Sequence, residues 1–246
     1  MHTSAKYRTG ALFLSTFLVA LFLATNSLAV SSEVSARHWR VSRLVDQVVR
    51  NEKGHEVGEV EDFVIRRNGT LKRALIALDG FLELEEKIVA VPFRRLQISA
   101  GPNITVVASK EHLEKLPDFN HKKAGVFTGF HRRAPRGGYY SGDYDYYPSQ
   151  YLPWAWASYP DKMLATVIIG QRVYGDEGKK IGEIDDLMLT EGGKVDQIIL
   201  ATGGFLEIDE KLVAIPYKPL GFSEFGVVYP ITMKQLNSLP EFKYQE

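Results

Sequence analysis

The sequence predicts an all-β protein with short helices, built as two small domains that each form a barrel or sandwich. Three observations predict it. First, the chain repeats itself: Val57-Gly58-Glu59-Val60-Glu61-Asp62 returns as Ile181-Gly182-Glu183-Ile184-Asp185-Asp186. Gly80-Phe81-Leu82-Glu83-Leu84-Glu85-Glu86-Lys87 likewise returns as Gly204-Phe205-Leu206-Glu207-Ile208-Asp209-Glu210-Lys211, both at an offset of 124 positions. A fixed offset marks duplicated structural units. Second, each copy carries short apolar runs at close spacing, separated by Gly-rich turns. Third, each copy ends on one short helical pattern.

The elements follow in order. Val48 and Val49 open a strand, echoed by Gln171 to Tyr174. Asn51-Glu52-Lys53-Gly54 and Gly175-Asp176-Glu177-Gly178 are turns whose final Gly suits a left-handed backbone. Beyond them, Val57, Glu59 and Glu61 alternate with Gly58, Val60, Asp62 and Val64. That period of two is imperfect and predicts a bulge near Gly58. Asn68-Gly69 and Gly192-Gly193 are hairpin turns. Ala74 to Leu78 and Ile198 to Ala201 read as buried strands. Ile88 to Pro92, Leu212 to Pro216 and Ile104 to Val107 read as further strands. Ser109 and Thr232 cap the closing helices, Leu113/Leu116 and Leu236/Leu239 give them an apolar face, and Pro117 and Pro240 stop them. The offset there is 123, so one residue is lost in the loop after Leu96 and Leu220.

Residues 1–29 read as a secretory signal: Lys6 and Arg8, an apolar run from Ala11 to Ala24, and small residues Ser27 and Ala29 before a cleavage point. The run is short for the roughly 20 residues of a bilayer-spanning helix. The expected location is therefore the periplasm, the alternative being an uncleaved N-terminal anchor. The chain has no Cys, which excludes disulfides, thiolate metal sites and Cys nucleophiles. Charge is unevenly spread. Residues 31–119 carry fourteen basic and fourteen acidic side chains, 120–163 six and three, and 164–246 eight and thirteen. The two copies therefore differ in their outer faces. Residues 120–163, rich in Gly, Tyr and Arg without apolar periodicity, read as a mostly disordered linker between domains at 41–119 and 164–243.

Arg43-Leu44-Val45, Val49, the Gly54 turn, Val57 to Asp62, Gly80-Phe81-Leu82, Glu86-Lys87 and Val89 to Pro92 together resemble the PRC-barrel family. The matching set in copy two is Gly178, Ile181 to Asp186, Gly204 to Leu206, Glu210-Lys211 and Val213 to Pro216. This small β-barrel is named after the photosynthetic reaction-centre H subunit. The resemblance implies two six-stranded barrels, a non-enzymatic role in binding or complex assembly, and no catalytic residues to carry over.

The chemistry-bearing residues agree. Glu59/Glu61/Asp62 and Glu183/Asp185/Asp186 could serve acid–base work or Ca²⁺ binding. Alternation, however, puts the last Asp opposite the Glu side chains, as expected of a solvated strand face plus one turn-capping Asp. The acidic stretches at Glu83 to Lys87 and Glu207 to Lys211 read as loop tips. His2, His38, His55, His112, His121 and His131 share no metal-ligand spacing. No metal, cofactor or catalytic group is therefore expected; a metal-dependent or enzymatic module on the acidic loops is the alternative, as is a membrane-anchored relative of the reaction-centre subunit. The most distinctive exposed set is basic: Lys122, Lys123, Arg132, Arg133 and Arg136. It suits contact with an anionic surface or envelope polymer, the plainer reading being a solvated linker. The sequence thus points to an exported tandem adaptor for an envelope protein or anionic surface, with peripheral membrane contact at most and no nucleic acid.

Overall fold

A computed structural model describes residues 38–78, 87–99, 103–128, 159–203, 211–223 and 225–245. The signal segment, the repeated Gly-Phe-Leu blocks, and Arg132, Arg133 and Arg136 lie outside the described residues. Copy one comprises β1 (His38–Arg40), a 3-10 turn (Val41–Arg43), β2 (Val48–Asn51), β3 (Glu56–Arg66), β4 (Leu71–Leu78) and β5 (Lys87–Pro92). A second 3-10 turn (Phe93–Arg95) leads to β6 (Leu96–Ile98), β7 (Ile104–Val106), α1 (Lys110–Glu114) and α2 (His121–Ala124). Copy two comprises β8 (Lys162–Leu164), α3 (Ala165–Ile168), β9 (Arg172–Tyr174), β10 (Lys180–Thr190), β11 (Val195–Thr202) and β12 (Lys211–Pro216). It ends with β13 (Gly221–Ser223), β14 (Gly226–Val228) and α4 (Met233–Asn237).

The anticipated turns form for the reasons the sequence gives. Asn51 turns the β2–β3 hairpin: its side-chain oxygen accepts the Lys53 and His55 amides at 3.0 Å each. The register between β2 and β3 slips at Val57, which is the anticipated bulge. It lets both Val57 and Val60 reach the core while Glu59 stays in water. Gly58 is required because the β4 backbone passes so close that a Cβ there would lie 2.0 Å from the Ala77 oxygen; Gly182 repeats this against Ala201 at 2.3 Å. Ser109 caps α1 by accepting the His112 amide at 3.2 Å, and Thr232 with Gln235 closes a full capping box on α4.

Each copy forms the expected small β unit with six strands of its own on one hydrogen-bonded path, and one strand is added. Each sheet has seven strands, and the seventh comes from the other copy. In copy one the path β5-β4-β3-β2-β7-β6 is joined by β8, which pairs antiparallel with the far half of β3: Val64 faces Leu164, Ile65 faces Met163, Arg66 faces Lys162. In copy two the path β12-β11-β10-β9-β14-β13 is joined by β1, with Arg40 opposite Met188, Trp39 opposite Leu189 and His38 opposite Thr190. Each copy thus lends its leading strand to its twin. The physical reason is local: β3 and β10 are eleven residues long, and the short β2 and β9 cover only their first halves. The remaining backbone donors and acceptors need a partner. The exchanged segments also anchor by burial: Met163, Ala165 and Ile168 are fully buried, and sequestering a side chain the size of Met or Ile stabilises by about 1.5–3 kcal/mol.

The exchange makes one body. A single hydrophobic cluster contains Val60, Phe63 and Ile76 of copy one together with Ile184, Leu187 and Ile198 of copy two. The two hairpin tips also hydrogen-bond each other reciprocally, Leu71 N to Gly193 O and Val195 N to Gly69 O, both 2.9 Å. The Tyr217 ring lies over Gly69 and the Phe93 ring over Gly193. Phe127 meets Phe222 with ring centroids 4.9 Å apart. Both ends of the 120–163 segment belong to this structure, as α2 and β8; residues 129–158 lie outside the described set.

Candidate functional site

The duplicated acidic motif divides in two. Glu59 and Glu61 are exposed, as their alternation requires. Asp62 and Asp186 are instead buried, at 4% and 0% exposure. Asp62 Oδ1 accepts the Phe63 amide at 2.6 Å, Ala165 N at 3.0 Å and Thr166 N at 3.3 Å, while Oδ2 accepts the Thr166 hydroxyl at 2.5 Å. Asp186 does the same in mirror image: it accepts Leu187 N at 2.8 Å, Ser42 N at 3.0 Å, the Ser42 hydroxyl at 2.5 Å and Arg40 Nε at 2.7 Å. The anticipated turn-capping Asp is therefore a cap, but the turn it caps belongs to the other copy. Burial pushes the Asp62 carboxyl above its ordinary range, with its hydrogen bonds pulling the other way. With its lone pairs occupied by protein donors it is a latch, and it offers no open position to a substrate or a metal. Glu183 pairs with Lys180 at 3.1 Å, and Asp185 accepts the Tyr244 hydroxyl. Among the described residues no three His, Asp or Glu side chains gather as a metal site. His38 is paired with Asp196 at 3.0 Å.

The basic set assembles differently from its sequence grouping. Lys122 and Lys123 are exposed on α2. Lys123 lines an open groove of about 580 Å³ with Lys72 and Arg73 from β4 and Lys162 from the exchanged β8. The groove floor is apolar, formed by Val64, Ala90, Leu116, Phe119 and Val126. Arg66 and Lys72 extend the basic surface into an adjoining depression. Partial desolvation, and then the Arg66, Lys162 and Arg73 cations, hold the Lys72 ammonium below its ordinary value. Arg67 is neutralised by Asp161 at 3.0 Å, whereas Arg66, Lys72 and Lys123 have no acidic partner among the described residues. Lys72, Arg73, Arg66 and Lys162 were not legible as a site, because they come from separate segments. One signal was available: copy two has Asp196 and Gln197 where copy one has Lys72 and Arg73, and Thr190 where copy one has Arg66.

The PRC-barrel domain model matches residues 39–113 and 160–229, more than half of the chain. The chain belongs to the PRC-barrel family. Its two matched segments begin at the two exchanged strands, so in this PRC-barrel protein the leading strand is part of the domain by sequence but part of its twin in space. Comparison with curated proteins returned no match. Among the described residues no helix is long and apolar enough to cross a membrane.

Proposed function

We propose that this tandem PRC-barrel protein is a non-enzymatic, exported binding or assembly adaptor that engages an anionic partner of the cell envelope as one two-barrel unit. The observation that carries this reading is the reciprocal strand exchange. It fixes both copies relative to one another, so that their divergent outer faces are held at a set spacing and present one composite surface. Preorganisation of this kind favours binding, since no interdomain freedom is lost on association. The acidic motif supports the same reading from the other side, because its buried member is occupied in holding the exchanged segment. The basic cluster supplies the charge for an anionic partner.

The test is capture from an envelope fraction with the immobilised full chain, washed in rising salt. Specific retention that weakens with ionic strength is the expected result. If the full chain retains nothing over a charge-matched control protein, the adaptor reading falls. Export is tested separately by fusing residues 1–29 to a reporter that is active only outside the cytoplasm; an inactive fusion removes the envelope from the proposal.

A further inference from the structure

The groove on copy one joins a basic surface to an apolar one. Lys72, Arg73, Lys123 and Lys162 line it with one carboxylate, Asp118, which accepts the Ile88 amide at 3.3 Å, and Ala90, Leu116, Phe119 and Val126 supply its apolar part. The fold does not require these cations. The residues equivalent by the repeat are Asp196, Gln197 and, for Lys162, His38, and they occupy the same strand positions in a sheet of the same order. The equivalent face of copy two is built differently. Tyr244 lies against Phe242, takes the Arg40 guanidinium 3.6 Å above its ring, and donates its hydroxyl to Asp185. Copy one has Leu164 in place of Arg40, and that side chain is buried against Val64 and Val126 instead of carrying a charge to the surface.

The groove also excludes one class of occupant. An extended peptide would bind by adding to the β5 edge, but that edge is engaged there: Ile88 O accepts the Phe119 amide at 2.7 Å and Ile88 N donates to Asp118 at 3.3 Å. Cations around an apolar floor complement an anion carried on an apolar stem.

Building on the adaptor reading, we propose that this groove binds an anionic phospholipid, with the phosphate among Lys72, Arg73 and Lys123 and the glycerol–acyl stem on the Leu116–Phe119 floor. Lys162 takes part as a positioned rim charge, since its ammonium also donates to the Ala124 carbonyl that ends α2. The anionic headgroup of a bilayer is the source; free phosphate shares the charge but lacks the stem.

The experiment is vesicle co-sedimentation of the purified full chain, comparing phosphatidylcholine vesicles with and without phosphatidylglycerol. Binding should require phosphatidylglycerol. Lys72→Gln, Arg73→Gln and Lys123→Gln should each weaken it about fivefold, and the triple variant by roughly a hundredfold. Lys179→Gln, an exposed site on copy two, should leave it unchanged. All three groove positions are solvent-facing, so melting temperatures should match the parent and a folding failure would be visible at once. A second arm adds inorganic phosphate or a glutamate-rich peptide as competitors at equal charge. Competition as strong as that of monomeric short-chain phosphatidylglycerol would overturn the lipid assignment, in favour of a free oxyanion or an acidic segment respectively. Equal vesicle binding by the triple variant and the Lys179→Gln control would also overturn it. Envelope capture of the parent chain without vesicle binding would sink this inference while leaving the adaptor reading standing; loss of both would remove the two together.

Discussion

Replacing Asp62 with alanine should release the second copy's leading segment from the first copy's sheet. The side chain receives three bonds from that segment and one from its own strand. Thr166 N at 3.3 Å is the weakest, and it shares Oδ1 with two better donors. The Ala165 amide and the Thr166 hydroxyl are then the two bonds that count across the exchange. Hydrogen bonds to a charged group contribute about 1.5–3 kcal/mol each. Part of that returns when water reaches the freed donors, and the Ala165 amide, in a fully buried residue, gains least from water. We expect a loss of about 3–4 kcal/mol, a large fraction of the 5–15 kcal/mol typical of a folded domain. Urea unfolding of the full chain, followed by far-UV circular dichroism, measures it, with Glu59→Ala as an exposed control expected within about 0.5 kcal/mol of the parent. Amide exchange adds the location: protection should fall first at residues 162–168 and in the second half of β3. A loss of under 1 kcal/mol, or one shared equally by the Glu59 control, would refute the latch and return Asp62 to the role of a local turn residue.

Four further outcomes follow from the same geometry. Gly69→Ala would set a Cβ 2.7 Å from Val195 O and 2.9 Å from the Tyr217 ring at a backbone φ of +86°; it should cost about 2–4 kcal/mol, against about 1 kcal/mol for Gly54→Ala, where φ is +80° but nothing lies within 4 Å, both read by thermal melts. Tyr229→Phe removes a 2.6 Å bond to Pro216 O and should cost about 1 kcal/mol, while Tyr217→Phe should be neutral because its buried hydroxyl has no partner among the described residues and Phe93 fills the equivalent place. Burial pushes both phenols up to about 12 from 10.0. The folded chain therefore holds these protons longer than the unfolded chain, and stability that is intact below pH 10 should fall between pH 10 and 12. Tyrosinate absorbance should show Tyr217 and Tyr229 titrating late, as their Phe variants would assign, with Tyr244 also held up by burial and Asp185; normal titration of Tyr217 and Tyr229 in the folded protein would contradict the packing. Finally, residues 38–128 and 159–245 expressed as separate pieces should be poorly folded or self-exchanging alone and combine one to one when mixed, as size-exclusion chromatography would show; two stable, independent monomers would contradict the single-body structure.

The acidic motif shows where sequence reasoning runs out. Alternation correctly sent Glu59 and Glu61 to water and Asp62 to the other face, because a strand has no other choice. Alternation cannot say what lies beyond that face, and Thr166 is 104 residues away. The same holds for the basic groove: Lys123 was visible in a local charge run, whereas Lys72 and Lys162 join it only after β4 and β8 flank β3. Arg132, Arg133 and Arg136, grouped with Lys123 in sequence, lie outside the described residues.

By itself the sequence determined the β class, the turns and bulges, the helix caps, the duplication and the family, since each depends on spacings of a few residues or on self-similarity along the chain. Only the tertiary structure decided that the two units exchange strands, share a core and bring four separate cations to one rim. Those outcomes depend on which edge is left unpaired when β2 ends before β3 does, and the nearest complementary strand is chosen by three-dimensional proximity, which no local pattern encodes.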